Sequence, residues 1–130
     1  MFYTIQAPDE LNIALQIPAS KSISNRALIM QALTKGTTTL RHLSDCDDTL
    51  VLQHALHDMP RTIDIHGAGS AMRFLTAYLS IGEGEHILTG TARMQQRPIG
   101  SLVDALRQLG ATIHYEGQPG FPPLRIQGHP

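Results

Sequence analysis

The chain has 130 residues, enough for one domain with a modest core; 42% are apolar and only 16% charged, which argues against disorder. A net charge of −1 argues against a general nucleic-acid or membrane-surface binder. A single cysteine, Cys46, excludes an internal disulfide, and seven scattered histidines with no His-x-x-x-His pair argue against a metal site.

The opening MFYTIQAPDE lacks the charged-then-apolar layout of a signal peptide, and no apolar run approaches the roughly 20 residues of a membrane span. A reducing cytoplasm fits these features best. Residues 3–7 and 11–17 read as two short strands joined by a turn at 8–10. The next stretch, PASKSISNRALIMQAL, places Lys21, Ser22, Ser24, Asn25 and Arg26 just ahead of an apolar run. It predicts a helix from about Ser20 to Gly36, apolar on nearly every face and therefore buried all round. TTTLRHL, residues 37–43, predicts a strand from its β-branched content. SDCDD predicts an acidic helix start, and Val51, Leu52, Ala55, Leu56 and Met59 form that helix's apolar stripe before Pro60 ends it.

RTIDIHG alternates like a strand and runs into GAGSAMRFL, a glycine-rich turn opening a second all-round apolar helix that Gly82 and Gly84 stop. EHILTG predicts a strand, and TARMQQRP a loop carrying Arg93 and Arg97. Pro98 fits the first position of a helix striped by Ile99, Leu102, Val103, Leu106 and Leu109 and capped by Gly110. ATIHYEG and PPLRIQG predict final strands around a Gly/Pro-rich turn.

These elements repeat. A buried helix, a strand, an amphipathic helix and a strand occur twice, with Arg26 matching Arg73 at a spacing of 47 and Ala55 matching Ala105 at 50. The expected architecture is α/β (α+β), with buried helices at the centre and sheets outside. Two repeat units, about 18–65 and 66–130, divide the chain.

Charge placement bears on function. A helix N-terminus carries about half a positive charge, so acidic residues settle there. The first helix instead has Lys21 at its start and Arg26 about one turn in, on the same face as Ser22. Either these cations are solvated or paired with nearby aspartates, or an anion such as phosphate or carboxylate sits among them. Gly67 and Gly69 are either plain turn residues or positions where backbone approaches an anion. Of ten basic residues eight are arginine, the side chain suited to gripping planar anions. Three cationic sites at or beside helix starts tilt the balance toward anion binding. GAGSAM lacks the third glycine of a dinucleotide fingerprint, and SKS has no glycine-rich run before it as a P-loop would.

The ordered set PASKSISNRALIMQAL, SDCDDT, GAGSAMRFL and LTGTARMQQRPIGSLVDALRQLGA resembles the 5-enolpyruvylshikimate-3-phosphate synthase family along the whole chain. That family's chain is about three times longer, so the resemblance implies an N-terminal portion. It implies two of the family's six strand–helix units, with buried parallel helices covered by sheets, and strands within 1–17 that belong with the other domain. It implies transfer of the enolpyruvyl group of phosphoenolpyruvate to shikimate 3-phosphate, with no metal or organic cofactor. By this resemblance Lys21 touches both substrates, Ser22 and Arg26 hold shikimate 3-phosphate, and Gly69 and Arg93 hold phosphoenolpyruvate. The main acid/base residues fall in later sequence, so turnover by this chain alone is not expected. Nucleic-acid and membrane partners are not expected; self-association through exposed apolar surface is, whereas the whole enzyme is expected to be a monomer. A non-catalytic anion-binding module on the same repeat is the competing reading. Two departures stand out: Gly67-Ala68-Gly69-Ser70 replaces the usual Asn-Ala-Gly-Thr, and Phe74 replaces a common proline.

Overall fold

In the computed structural model, which describes residues 1–34 and 37–130, the elements run α1 (Lys21–Thr34), α2 (Asp47–Asp58), β1 (Thr62–Asp64), α3 (Gly69–Ser80), β2 (Glu85–Thr89), α4 (Ala92–Gln95), α5 (Gly100–Gln108), β3 (Thr112–Tyr115) and β4 (Leu124–Gln127). The architecture is mixed α/β. The strands form one sheet in the order β1-β2-β4-β3; β1 and β2 are parallel and the other pairs antiparallel. Parallel neighbours need a crossover, and α3 supplies it.

α3 is the centre of the fold. Its sequence is apolar nearly all round, and Ala71, Met72, Leu75, Thr76, Leu79 and Ser80 are buried. One side meets β2 and β4, and the other meets α1 and α2. The strands answer with period-two burial: Ile63 from β1, Leu88 from β2, Leu124 and Ile126 from β4, and Ile113 from β3 all turn into the same core. Thr76 and Ser80 hide their hydroxyls by donating to the carbonyls of Met72 and Thr76, each at 2.7 Å. α2 stops at Asp58, with Met59 as an αL C-cap rather than a member of the helix, just before the Pro60 expected to end it.

Several expectations are corrected. Residues 1–17 form no strands: they are exposed, and none of the sheet's four strands pairs with them. Their alternation of Leu11, Ile13, Leu15 and Ile17 is a strand pattern, but a strand exists only with a ladder partner. Residues 37–43 likewise form no strand, so among the described residues a single sheet covers one side of α3, where sheets outside the helices were expected. α1 is not buried all round. Only Ser24, Asn25 and Leu28 are buried, while Ile23 is 71% and Met30 66% exposed, because no element among the described residues covers that face. Its expected end at Gly36 lies outside the described residues.

The stretch expected as a loop after β2 contains the single turn α4, which Thr91 caps by accepting a hydrogen bond from the Met94 amide. α5 begins at Gly100, two residues beyond the proline expected to open it, with Ile99 as its N-cap. Of its stripe, Ile99 and Val103 are buried but Leu109 is 84% exposed, since the helix ends before bringing it round to the core.

Candidate functional site

The sites of interest lie where helices begin. Neither α1 nor α3 has an acidic residue in its first turn, whereas α2 has Asp47 and Asp48. No side chain caps α3 at its N-cap, Ala68. Its first turn therefore offers N–H groups and positive potential without a protein counter-charge of its own.

Backbone geometry sets this turn beside the segment that follows β2. The Ile65 amide donates to the Thr89 carbonyl at 3.0 Å, and the Thr91 amide to the His66 carbonyl at 3.0 Å. Gly90 permits the approach: a Cβ there would stand 2.5 Å from the His66 carbonyl oxygen. The β1–α3 turn and residues 91–97 are thus locked together. Arg73, one turn into α3, donates to the carbonyls of Gly69 at 3.1 Å and Pro98 at 3.5 Å, bracing the same two segments.

The result is a polar hollow of about 470 Å³ lined by Lys21, Asp48, Gly67, Gly69, Ser70, Arg73 and Arg97. Three cations from three separate segments face one carboxylate there. Lys21 Nζ lies 3.1 Å from Asp48 Oδ2, so α1 contributes its cation in contact with α2. The Arg97 guanidinium lies over Gly69: an added Cβ would stand 2.6 Å from its Nη1. Two larger hollows, of about 630 and 780 Å³, are less suited to an anion. The first has no arginine or lysine in its described lining, and the second has Arg61 with Glu83 and Glu85 beside it.

Of the residues singled out from sequence, the structure brings Lys21 and Gly69 into one hollow. Ser22, Arg26 and Arg93 are not among its lining residues. Arg26 is exposed and turns back on its own helix, donating from Nη1 to the Ser22 carbonyl at 3.0 Å. Arg93 is exposed on α4, while Arg97 reaches the hollow. Spacing puts both arginines in one segment four residues apart, and the resemblance singles out Arg93; the structure seats Arg97 at the hollow and Arg93 on the exposed side of α4. From sequence Arg73 reads only as the match of Arg26, and Asp48 only as a helix-start acid; the structure brings both to the hollow. Among the described residues no group of three or more His, Cys, Asp or Glu side chains has the geometry to hold a metal ion.

A buried network braces the starts of α1 and α2. The Ser44 amide donates to Ser24 Oγ at 2.9 Å, and Thr49 Oγ1 donates to Asn25 Oδ1 at 2.8 Å. Cys46 lies at its half-buried edge, its Sγ 3.3 Å from Thr49 Oγ1. The Ser44 and Thr49 side chains hold its thiol below the ordinary value by hydrogen bonding to it.

Comparison with known proteins agrees along the chain. The family model described as EPSP synthase (3-phosphoshikimate 1-carboxyvinyltransferase) matches residues 5–65 and 59–130. A 3-phosphoshikimate 1-carboxyvinyltransferase of Bacteroides fragilis (strain YCH46) is 60% identical over 128 residues, covering 98% of this chain and 31% of that protein. One from Vibrio cholerae serotype O1 (strain M66-2) is 42% identical over 151 positions, covering 96% and 35%. The structure of EPSP synthase from Acinetobacter baumannii superposes with a TM-score of 0.79 at 27% identity, over 88% of this chain and 32% of that one. The chain spans about a third of the length of the curated relatives it matches. The match of the family model over both halves, supported by these relatives, makes this chain a member of the EPSP synthase (3-phosphoshikimate 1-carboxyvinyltransferase) family.

Proposed function

We propose that this chain is a substrate-binding part of an enzyme that transfers the enolpyruvyl group of phosphoenolpyruvate to the 5-hydroxyl of shikimate 3-phosphate, releasing phosphate on the way to chorismate and the aromatic amino acids. The observation that carries the reading is the convergence of Lys21, Arg73 and Arg97 on the uncapped start of α3. Both substrates bear a phosphate and a carboxylate, and this is the chemistry such a hollow attracts.

In this reading Lys21 neutralises charge on both substrates, and Gly69 lets phosphoenolpyruvate approach the α3 backbone. Arg93 holds that anion from the segment after β2, and Arg97 of the same segment adds its charge over Gly69. Ser22 and Arg26, on the exposed face of α1 beside Lys21, hold shikimate 3-phosphate. In the reaction the 5-hydroxyl adds to C2 of the protonated enolpyruvyl group, and phosphate then leaves the tetrahedral adduct. The residues here contribute alignment and fixed positive charge rather than proton transfer. The main acid/base residues lie outside this chain, so it binds without turning over.

Residues 1–17 pair as strands with a further domain of the whole enzyme, and residues 18–130 form two repeat units of its N-terminal domain. The exposed Leu11, Ile13, Leu15, Ile17, Ile23 and Met30 make this chain self-associate when alone. No helix among the described residues is long and apolar enough to cross a membrane, and the reducing cytoplasm is the proposed compartment.

Titration of the chain with shikimate 3-phosphate and phosphoenolpyruvate tests the reading. Saturable binding of both, with shikimate 3-phosphate binding lost in Arg26→Ala, supports it. Binding of inorganic phosphate alone points instead to a non-catalytic anion-binding module, and product formation by the isolated chain overturns the placement of the acid/base residues.

A further inference from the structure

We infer that the anion hollow at the start of α3 opens past Gly67 into a second compartment, which takes the uncharged, apolar arm of a ligand whose anionic head sits in the first. The inference rests on the anion-site reading above and extends it to a further ligand class. A hollow of about 410 Å³ lies between the start of α2 and the β1–α3 turn. It shares Asp48 and Gly67 with the anion hollow, so the two adjoin there. Gly67 is two residues from Gly69, a backbone span of at most about 7 Å, which a single aromatic ring on the head can cover.

Gly67 leaves the passage open. A fold demands glycine where φ is positive or where another group crowds the α-carbon. Gly67 meets neither demand: it has no positive φ, and an added Cβ would find nothing within 4 Å. Gly69 and Gly90 close by are crowded, each with an atom under 3.0 Å from the same position. The backbone would therefore accept a side chain at Gly67, and that side chain would stand where the two hollows meet.

The second hollow has its own chemistry. Leu50, 41% exposed, and the half-buried Val51 present the apolar surface of α2 to it, and the buried Ile65 and Ala68 complete the wall. Among the described residues no lysine or arginine lines it; its polar side chains are Asp47, Asp48 and the imidazoles of His54 and His66. A second anionic group would meet those two carboxylates. A cationic arm is not called for either, since Asp48 is already paired with Lys21 at 3.1 Å and Asp47 is exposed to water. What remains to be satisfied is apolar area, whose burial is favourable in proportion to its extent. With the head already held, the arm adds that burial without a second loss of translational freedom.

The test is amide-shift titration of the full chain with methylphosphonate, phenylphosphonate and 2-aminoethylphosphonate, read at Gly69 for the head and at Val51 for the arm. Phenylphosphonate is expected to bind about tenfold more tightly than methylphosphonate. It should also move the Val51 amide, which methylphosphonate leaves in place. Leu50→Asn, at a residue outside the anion hollow, should erase most of that gain while methylphosphonate binds as before. Gly67→Asn, which fills the passage, should erase it too, with a melting temperature no lower than that of the wild type. Equal affinity for the two phosphonates, or a gain that survives both substitutions, overturns the proposal while leaving the anion site standing. A preference for 2-aminoethylphosphonate over phenylphosphonate assigns the space to a cation and overturns the apolar arm. A wild-type chain that binds none of the three overturns both readings.

Discussion

Arg97 lies across the α-carbon of Gly69, with Nη1 2.6 Å, Cζ 3.1 Å and Nη2 3.2 Å from where a Cβ would stand. The start of α3 and its loop cation therefore share a space that no side chain could enter without moving the guanidinium. The obstructing atoms are the far end of a flexible side chain, so the backbone need not yield. Alanine is also the better helix former, by up to about 1 kcal/mol in a helix interior. Gly69→Ala should leave the melting temperature unchanged or slightly raised while weakening phosphoenolpyruvate binding about tenfold or more. Thermal melts and calorimetric titrations run on the same preparation separate the two effects.

The bond from Thr49 to Asn25 makes a second prediction. Asn25 is 1% exposed, and its Nδ2 already lacks a partner among the described residues. Thr49→Val keeps the shape but takes away the donor to Asn25 Oδ1, leaving the buried amide with neither end satisfied. The expected loss is about 1–3 kcal/mol. Thr49→Ser, which keeps the hydroxyl, should lose clearly less in the same urea unfolding experiment; equal losses would assign the effect to packing.

Leu75 and Leu109 look alike in sequence as members of apolar helix stripes, yet one is fully buried and the other 84% exposed. Leu75→Ala opens a cavity between the sheet and the α1/α2 layer and should cost about 2–5 kcal/mol. Leu109→Ala should change stability by no more than about 0.5 kcal/mol. Denaturant midpoints compare them directly.

Cys46 gives a prediction in pH. Its thiol is held below the ordinary value first by the Ser44 hydroxyl and then by the Thr49 hydroxyl, so folding favours the thiolate. The folded chain binds fewer protons here than the unfolded one. The stabilisation is therefore complete above the ordinary thiol value and lost as pH falls through the folded one. Alkylation by iodoacetamide should show a midpoint below that of the unfolded chain, and Ser44→Ala should move it upward. A folded midpoint at or above the unfolded one contradicts the assigned cause.

How far the sequence reaches can be seen by comparing α3 with α1. Both read as helices apolar on nearly every face, and both are helices. For α3 the inference of burial holds, because the strands and helices needed to surround it are all in this chain. For α1 it does not, because periodicity reports how much apolar surface a segment carries and not whether a neighbour exists to cover it. The same distinction explains residues 1–17 and 37–43: their alternation and β-branched content are real, but a strand is a relation between two segments.

What the sequence determined by itself was local and chemical: helix starts stripped of acidic residues, an arginine-rich cation set, glycines at turns, and an ordered run of motifs sufficient to identify the family. Which cations meet was decided only by tertiary structure. Spacing alone does not distinguish Arg93 from Arg97; the single turn of α4, capped by Thr91, and the close approach of Gly90 to His66 set Arg97 over Gly69 and Arg93 outside the hollow's lining. Asp48 reads as an ordinary helix-start acid until Lys21, 27 residues earlier, is found against it. Charge is written one residue at a time, but a field at a point depends on distance, and distances between remote residues exist only once the chain has folded.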